Sequence, residues 1–181
     1  EYIKPLYRSL IVRAADFLVA YRHADTGLPK TSYDLWEERR GVLAFTVSAV
    51  WAGLTAAANF AKAFGEMEAA ERYFKTADQM KAGAEAILYH PELMRFVRIV
   101  NRKEDKSWEH DRTIDSSMYG LWYFGMFAPD DPRIVRTMEA IRDKLSIKTA
   151  VGGIARYEND YYHQQSQDIT NVPGNPWFIC T

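Results

Sequence analysis

The amino-acid sequence predicts an all-α fold, with helices joined one after another by turns and two long loops. Three observations carry this. Five segments repeat apolar side chains at spacings of three and four, the mark of a helix with one buried face. The 181 residues are 48% hydrophobic, enough for one domain with a real core and too apolar for a disordered chain. Only Arg95 to Val100 alternates in the manner of a strand, which predicts one short extended piece, read as a hairpin arm. Paired antiparallel helices close into bundles, solenoids or toroids. No internal repeat is visible, which argues against a consensus array.

The first predicted helix runs from about Lys4 to Arg22, with Leu6, Leu10, Ala14, Phe17, Leu18 and Tyr21 on one face. It stops at Asp25-Thr26-Gly27-Leu28-Pro29, a turn signature. Residues 30–44 have no period and read as a long loop, a length often kept for function. A second helix spans about Phe45 to Phe64. Its Ala49, Gly53, Ala56, Ala57 and Ala61 form a small-residue face for close approach of a neighbour, and Gly65 is placed to end it. A third helix covers about Met67 to Leu88, with Phe74, Ala77, Met80, Ala84 and Ile87 inward, and closes at His90-Pro91. The fourth covers about Ser116 to Phe127 behind Asp115 as N-cap. The fifth opens at Asp131-Pro132 and runs to about Leu145, with Ile134, Val135, Met138, Ile141 and Leu145 inward. From Ser146 to Pro176 the chain is again irregular.

Composition excludes several classes. A net charge of −1 argues against nucleic-acid binding through a broad basic face. No uninterrupted run approaches 18 apolar residues, so no membrane span is expected. The single cysteine, Cys180, rules out an internal disulfide framework and a multi-cysteine metal site, and reads as a core residue. His23, His90, His110 and His163 show no ligand spacing, and no phosphate-binding glycine loop is present. The chain starts at Glu1 without a methionine and stops just after an Asn-Pro pair, which predicts a piece of a longer protein. No signal peptide is visible, which in such a piece leaves the compartment open.

Two loops gather the chemistry. Ser32-Tyr33-Asp34-Leu35-Trp36-Glu37-Glu38-Arg39-Arg40 packs three carboxylates, two guanidiniums and two aromatics into nine residues. A solvated charged loop is the plain reading. Against it, Trp36 is costly to leave in water, and adjacent carboxylates raise the proton affinity of one of the pair. A carboxyl kept protonated beside an apolar ring is what a general acid needs, while Arg39 or Arg40 would oppose that shift. Neighbours on a helix do not share a face, so Glu37 and Glu38 can serve one pocket only on irregular backbone. The second cluster is Arg156-Tyr157-Glu158-Asn159-Asp160-Tyr161-Tyr162, followed by Gly174-Asn175-Pro176-Trp177. Arginine with carboxylates and rings grips hydroxyls by forked hydrogen bonds, and equally forms a surface ion-pair patch on a tyrosine-rich packing loop.

At these two loops the sequence resembles glycoside hydrolase family 15, the glucoamylase family. The words that carry the resemblance are Tyr33-Asp34-Leu35-Trp36-Glu37-Glu38-Arg39, then Phe45-Thr46 with the small-residue helix, then Arg156-Tyr157 and Gly174-Asn175-Pro176-Trp177-Phe178. Their order and separation match across nearly the whole chain. The resemblance implies an (α/α)6 barrel of twelve helices in six hairpins, of which residues 1–181 are one incomplete catalytic-domain piece. It implies inverting hydrolysis of terminal α-linked glucose from an α-glucan or oligosaccharide, with no metal or organic cofactor.

By resemblance Glu37 matches the general acid. Trp36 and Glu38 match substrate-binding positions, Asp34 a supporting acidic position, Arg156 and Tyr157 the sugar-gripping segment, and Trp177 a ring lining the site. The general base matches no residue here and is expected beyond Thr181. The sequence departs from the fungal pattern by inserting His163 to Pro173 before Gly174, and by placing Val42-Leu43-Ala44 after the acidic pair. The alternatives are a trehalose- or dextran-type hydrolase of the same family and a helical sugar-binding scaffold without catalysis. The rest of the barrel or a second copy is expected to cover the exposed helix faces.

Overall fold

A computed structural model describes residues 4–179. Its centre is a pair of antiparallel helices, α2 (Ala44–Ala63) and α3 (Met67–Ile87), each within a residue or so of the predicted span. The hairpin turns where the sequence places Gly65. That residue has φ +79°, a left-handed conformation costly for any side chain with a Cβ. Its N–H donates to Lys62 O at 3.1 Å and that of Glu66 to Ala61 O at 2.8 Å, the paired bonds of a Schellman ending.

The seam between the helices is built from Val47, Leu54, Ala57, Ala58 and Ala61 against Ala70, Tyr73, Ala77, Met80 and Ala84, all buried. Two faces are therefore turned relative to expectation. On α2, Gly53 and Ala56 are exposed, so the small-residue face only partly meets α3. On α3, Tyr73 is fully buried and Phe74 half-buried. A five-residue apolar stripe has two edges, and only the packing partner decides which edge turns inward. α2 also has the length and mean hydropathy of a membrane-crossing helix, contrary to the run-based expectation, because its many alanines and larger apolar residues outweigh the serine and threonines that interrupt the run. Its buried positions line the core against α3.

The first predicted helix is present as a π-helical stretch, Tyr7–Val12, continuing into α1 (Arg13–Ala20). The fourth is shorter than expected. Asp115 caps it, but the chain makes one 3-10 turn, Ser116–Tyr119, and a single α turn, α4 (Gly120–Tyr123). The fifth, α5 (Pro132–Leu145), matches its prediction, with the Asp131 side chain accepting from Arg133 N at 2.9 Å and Pro132 opening the helix.

The expectation of an all-α chain with one extended piece is corrected by a four-stranded antiparallel sheet. Its order is β1 (Ser32–Tyr33), β2 (Arg40–Leu43), β5 (Ile99–Arg102), β6 (Trp108–Asp111). The alternating stretch 95–100 is split in two. Arg95–Phe96 forms β4 and pairs with β3 (Tyr89–His90), while Ile99 and Val100 open β5. The "long loop" 30–44 is a β-hairpin. Ser32 faces Gly41 and Tyr33 faces Arg40, and β2 continues into the sheet by pairing Val42 with Val100 and Leu43 with Ile99. Gly41 is required there, since a Cβ would stand 2.2 Å from Ile99 Cγ2. The hairpin tip, residues 34–39, carries the acidic word. Cys180 lies outside the described residues.

Candidate active site

The tip of the hairpin is closed by one residue. Asp34 N–H donates to Arg39 O at 2.8 Å, Asp34 O accepts from Glu37 N at 3.1 Å, and Asp34 Oδ1 accepts from Glu38 N at 2.8 Å and Arg39 N at 3.2 Å. Asp34 is 7% exposed, so this carboxylate spends its hydrogen bonds on the loop and acts as its internal anchor. Within that ring of bonds Glu37 has φ +60°. A non-glycine residue in this region stores on the order of 1–3 kcal/mol of strain, and such strain clusters at functional sites. The irregular backbone that a shared role for Glu37 and Glu38 demands is therefore present. Glu37 and Glu38 are both exposed at the tip, but the Glu38 side chain, 28% exposed, turns toward the second loop.

Glu38 meets the second loop. Arg156 Nη2 donates to Glu38 Oε1 at 3.0 Å, and the Tyr157 hydroxyl makes a short hydrogen bond to Glu38 Oε2, which also accepts from Arg39 Nη1 at 3.1 Å. Arg156 is forked onto Asp160, Nε to Oδ2 and Nη2 to Oδ1, both at 2.7 Å. Both of these side chains are nearly sealed from solvent, at 6% and 0% exposure. The guanidinium also lies among four rings, with Cζ 4.8 Å from the centroid of Tyr162, 5.1 Å from Tyr157, and 5.4 Å from both Trp36 and Trp177. Cation–π attraction of this kind adds to the ion pairs and makes Arg156 the hub of the cluster. Five predicted positions, Trp36, Glu38, Arg156, Tyr157 and Trp177, thus come together across more than a hundred residues of sequence. Asp34 supports the tip, and Glu37 stands beside them on it.

Protonation is set by these contacts. Burial works against ionisation of Glu38, but the Tyr157 hydroxyl and the Arg156 guanidinium outweigh it, and the carboxyl titrates below its ordinary range. Mutual repulsion of the acidic pair therefore does not protonate Glu38. Burial, followed by the hydrogen bond to Glu38, pushes the Tyr157 hydroxyl up to about 12. A carboxyl whose pKa is lower folded than unfolded stabilises the fold above its unfolded value, and that share is lost as pH falls through the folded one. Glu38→Gln is accordingly expected to lower the melting temperature of the full-length protein at neutral pH. The gap should close as pH falls below about 4.5, the ordinary glutamate value. Melts followed by circular dichroism across the acidic range check this, and a gap that widens on acidification would contradict it.

Sequence reasoning missed two side chains here. Asp115, read as a helix cap, is 2% exposed and accepts the Trp36 indole N–H, with Nε1 3.1 Å from Oδ2 and 3.2 Å from Oδ1. Arg98, 5% exposed, donates to Asp111 Oδ2 from Nε at 2.8 Å and to Asp115 Oδ2 from Nη1 at 3.3 Å. A signal for Arg98 was available. An arginine inside an otherwise apolar extended run is buried only when acceptors meet it, which are carboxylates for Arg98 and the carbonyl oxygens of Phe96 and Arg112 for Arg95. Among the described residues no group of three or more histidine, cysteine, aspartate or glutamate side chains is arranged to hold a metal ion.

A sequence model described as "Glycosyl hydrolases family 15" matches residues 5–181. An uncharacterized glycosyl hydrolase of Methanocaldococcus jannaschii is 37% identical over 150 residues, covering 82% of this chain and 22% of that protein. A glucoamylase of a Clostridium species is 28% identical over 180 residues, covering 90% of this chain and 25% of its own length. Among solved structures, a bacterial glucoamylase complexed with acarbose superposes with a TM-score of 0.69 at 24% identity, over 94% of this chain and 27% of that one. The glucoamylase of Saccharomycopsis fibuligera gives 0.67 at 22% identity, over 92% and 35%. The chain thus spans about a quarter of the length of these curated relatives, and the two structural likenesses establish its fold.

Proposed function

The chain belongs to glycosyl hydrolases family 15, and on that premise we propose that it forms the acid-bearing part of an inverting α-glucosidase that releases terminal glucose from oligosaccharides. The observation that carries the reading is the junction of Glu38 with Arg156 and Tyr157, which brings a strained acidic turn against an arginine set among aromatic rings. Glu37 donates its proton to the departing glycosidic oxygen. Trp36 and Trp177 offer flat apolar faces to a sugar ring, whereas Tyr157, expected from sequence to line the sugar site, is buried and acts through its hydroxyl on Glu38. Glu38 and Arg156 hold hydroxyls. Arg156 Nε and Nη2 are engaged with Asp160 and Glu38, and among the described residues none accepts from Nη1, so those donors suit a hydroxyl. Asp34 keeps the turn in shape.

Inversion needs a second carboxylate roughly 6.5–9.5 Å from the acid, with the attacking water between them. In this reading that base comes from a part of an (α/α)6 barrel outside residues 1–181. The remaining helices would pack on exposed faces such as Trp122 and Tyr123, which border a cleft of about 420 Å³. The test is the anomer released by the full-length protein from a maltose-type substrate, followed by proton NMR before mutarotation. β-Glucose is the expected first product. The α-anomer, or no glucose at all, would overturn the proposal.

A further inference from the structure

We propose that Asp115, seated on Arg98, is a positioning residue that holds Trp36, and with it the Glu37 turn, in register with the Arg156–Tyr157 loop. The inference rests on the hydrolase reading above and adds a residue that reading does not use. A helix cap needs one acceptor, and Asp115 Oδ1 supplies it to Ser117 N at 2.8 Å. Capping leaves unexplained why both oxygens share the indole N–H of Trp36, 79 residues away, and why a buried arginine closes on Oδ2.

The main chain of the same residue is tied to the other loop. Asp115 forms an antiparallel bridge with Tyr157, Ser116 N–H donates to Arg156 O at 2.7 Å, and Glu158 N–H donates to Ile114 O at 2.9 Å. Glu158 strengthens that seam by accepting Ile114 N–H on Oε2 at 2.7 Å. The main chain flanking Asp115 therefore grips one functional loop, through Ile114 and Ser116, and the Asp115 side chain grips the other. Arg98 completes the joint. It is anchored by Asp111, neutralises the buried carboxylate, and lies 5.3 Å from the centroid of the Tyr157 ring. With the Asp115 carboxylate altered, the indole is free to rotate, and Glu37 is the next residue along the chain.

The test uses the full-length protein and two conservative variants. Asp115→Asn keeps a good cap and the side-chain shape but removes the charge and one acceptor, and Trp36→Phe removes the indole donor. A misplacement of about 1 Å at a reacting centre costs about 100-fold, so each variant is expected to lose about 10- to 100-fold in kcat with a smaller change in KM. The double variant is expected to lose no more than the worse single one, because both act through one contact. Independently of activity, the ¹⁵N-labelled Trp36 indole N–H, assigned by its absence in Trp36→Phe, is expected to be protected from solvent exchange and to lose protection in Asp115→Asn.

Losses that multiply in the double variant would overturn the proposal. So would a Trp36 indole that exchanges freely in the unmodified protein, a measurement that decides the matter even where Asp115→Asn fails to fold. If the protein releases no glucose, the hydrolase reading fails, while the indole measurement still decides the positioning role.

Discussion

Glu37→Gln in the full-length protein is expected to lower kcat on maltose-type substrates by about 10²- to 10⁴-fold, the share a positioned general acid contributes. The variant should fold normally. Glu37 is exposed at the tip of the hairpin, its turn is held by Asp34 through backbone bonds that glutamine preserves, and the change keeps side-chain shape. A loss of rate therefore reports chemistry and not folding. A substrate whose leaving group needs no proton sharpens the test. On α-glucosyl fluoride the variant should regain most of the lost rate, because the acid has nothing to donate to. A non-catalytic sugar-binding scaffold predicts the opposite throughout, with no glucose release to lose and unchanged sugar affinity. Unchanged turnover of maltose-type substrates by Glu37→Gln would remove Glu37 from the mechanism.

The parts of this molecule that the sequence makes legible are those whose cause is local. Asp131-Pro132 and the spacing of Ile134, Ile141 and Leu145 locate α5, and Gly65 locates the turn between α2 and α3, because caps and turns act within a few residues. The sheet is not legible in that way. β1 has two residues, too few to show a period, and β6 reads Trp-Glu-His-Asp, a charged surface edge. What makes them strands is pairing with partners far away, such as Val42 with Val100. The site divides along the same line. Trp36, Glu38, Arg156 and Tyr157 are conspicuous by residue type. Asp115 is not, because a local role as a cap accounts for it fully until the fold brings Trp36 to its other side. The sheet that sequence patterning misses is also what makes the site. β2 and β5 carry the hairpin tip to Arg98, and Arg98 carries it to Asp115.

Arg156→Met is expected to lower the unfolding free energy of the full-length protein by about 3–5 kcal/mol, the cost of leaving a buried charge without its partner. The magnitude follows from what remains. Asp160, fully shielded, loses both forked bonds, and Glu38 loses its 3.0 Å contact, so two carboxylates face each other across the space the cation filled. Methionine replaces the aliphatic stem and some contact with the four rings, but neither the charge nor the cation–π attraction. Arg156→Lys should fall between the two, since an ammonium keeps the charge and cannot fork onto Asp160. The source of the loss can be isolated. Combining Arg156→Met with Asp160→Asn removes the stranded carboxylate, so the pair should be more stable than Arg156→Met alone, a strong positive coupling in a double-mutant cycle. Urea unfolding of the four proteins measures it. Additive losses would mean that Arg156 is held by its rings and that the Asp160 fork contributes little. The cluster would then be an aromatic cage around a cation, and the carboxylates of the second loop would be free to serve a sugar directly.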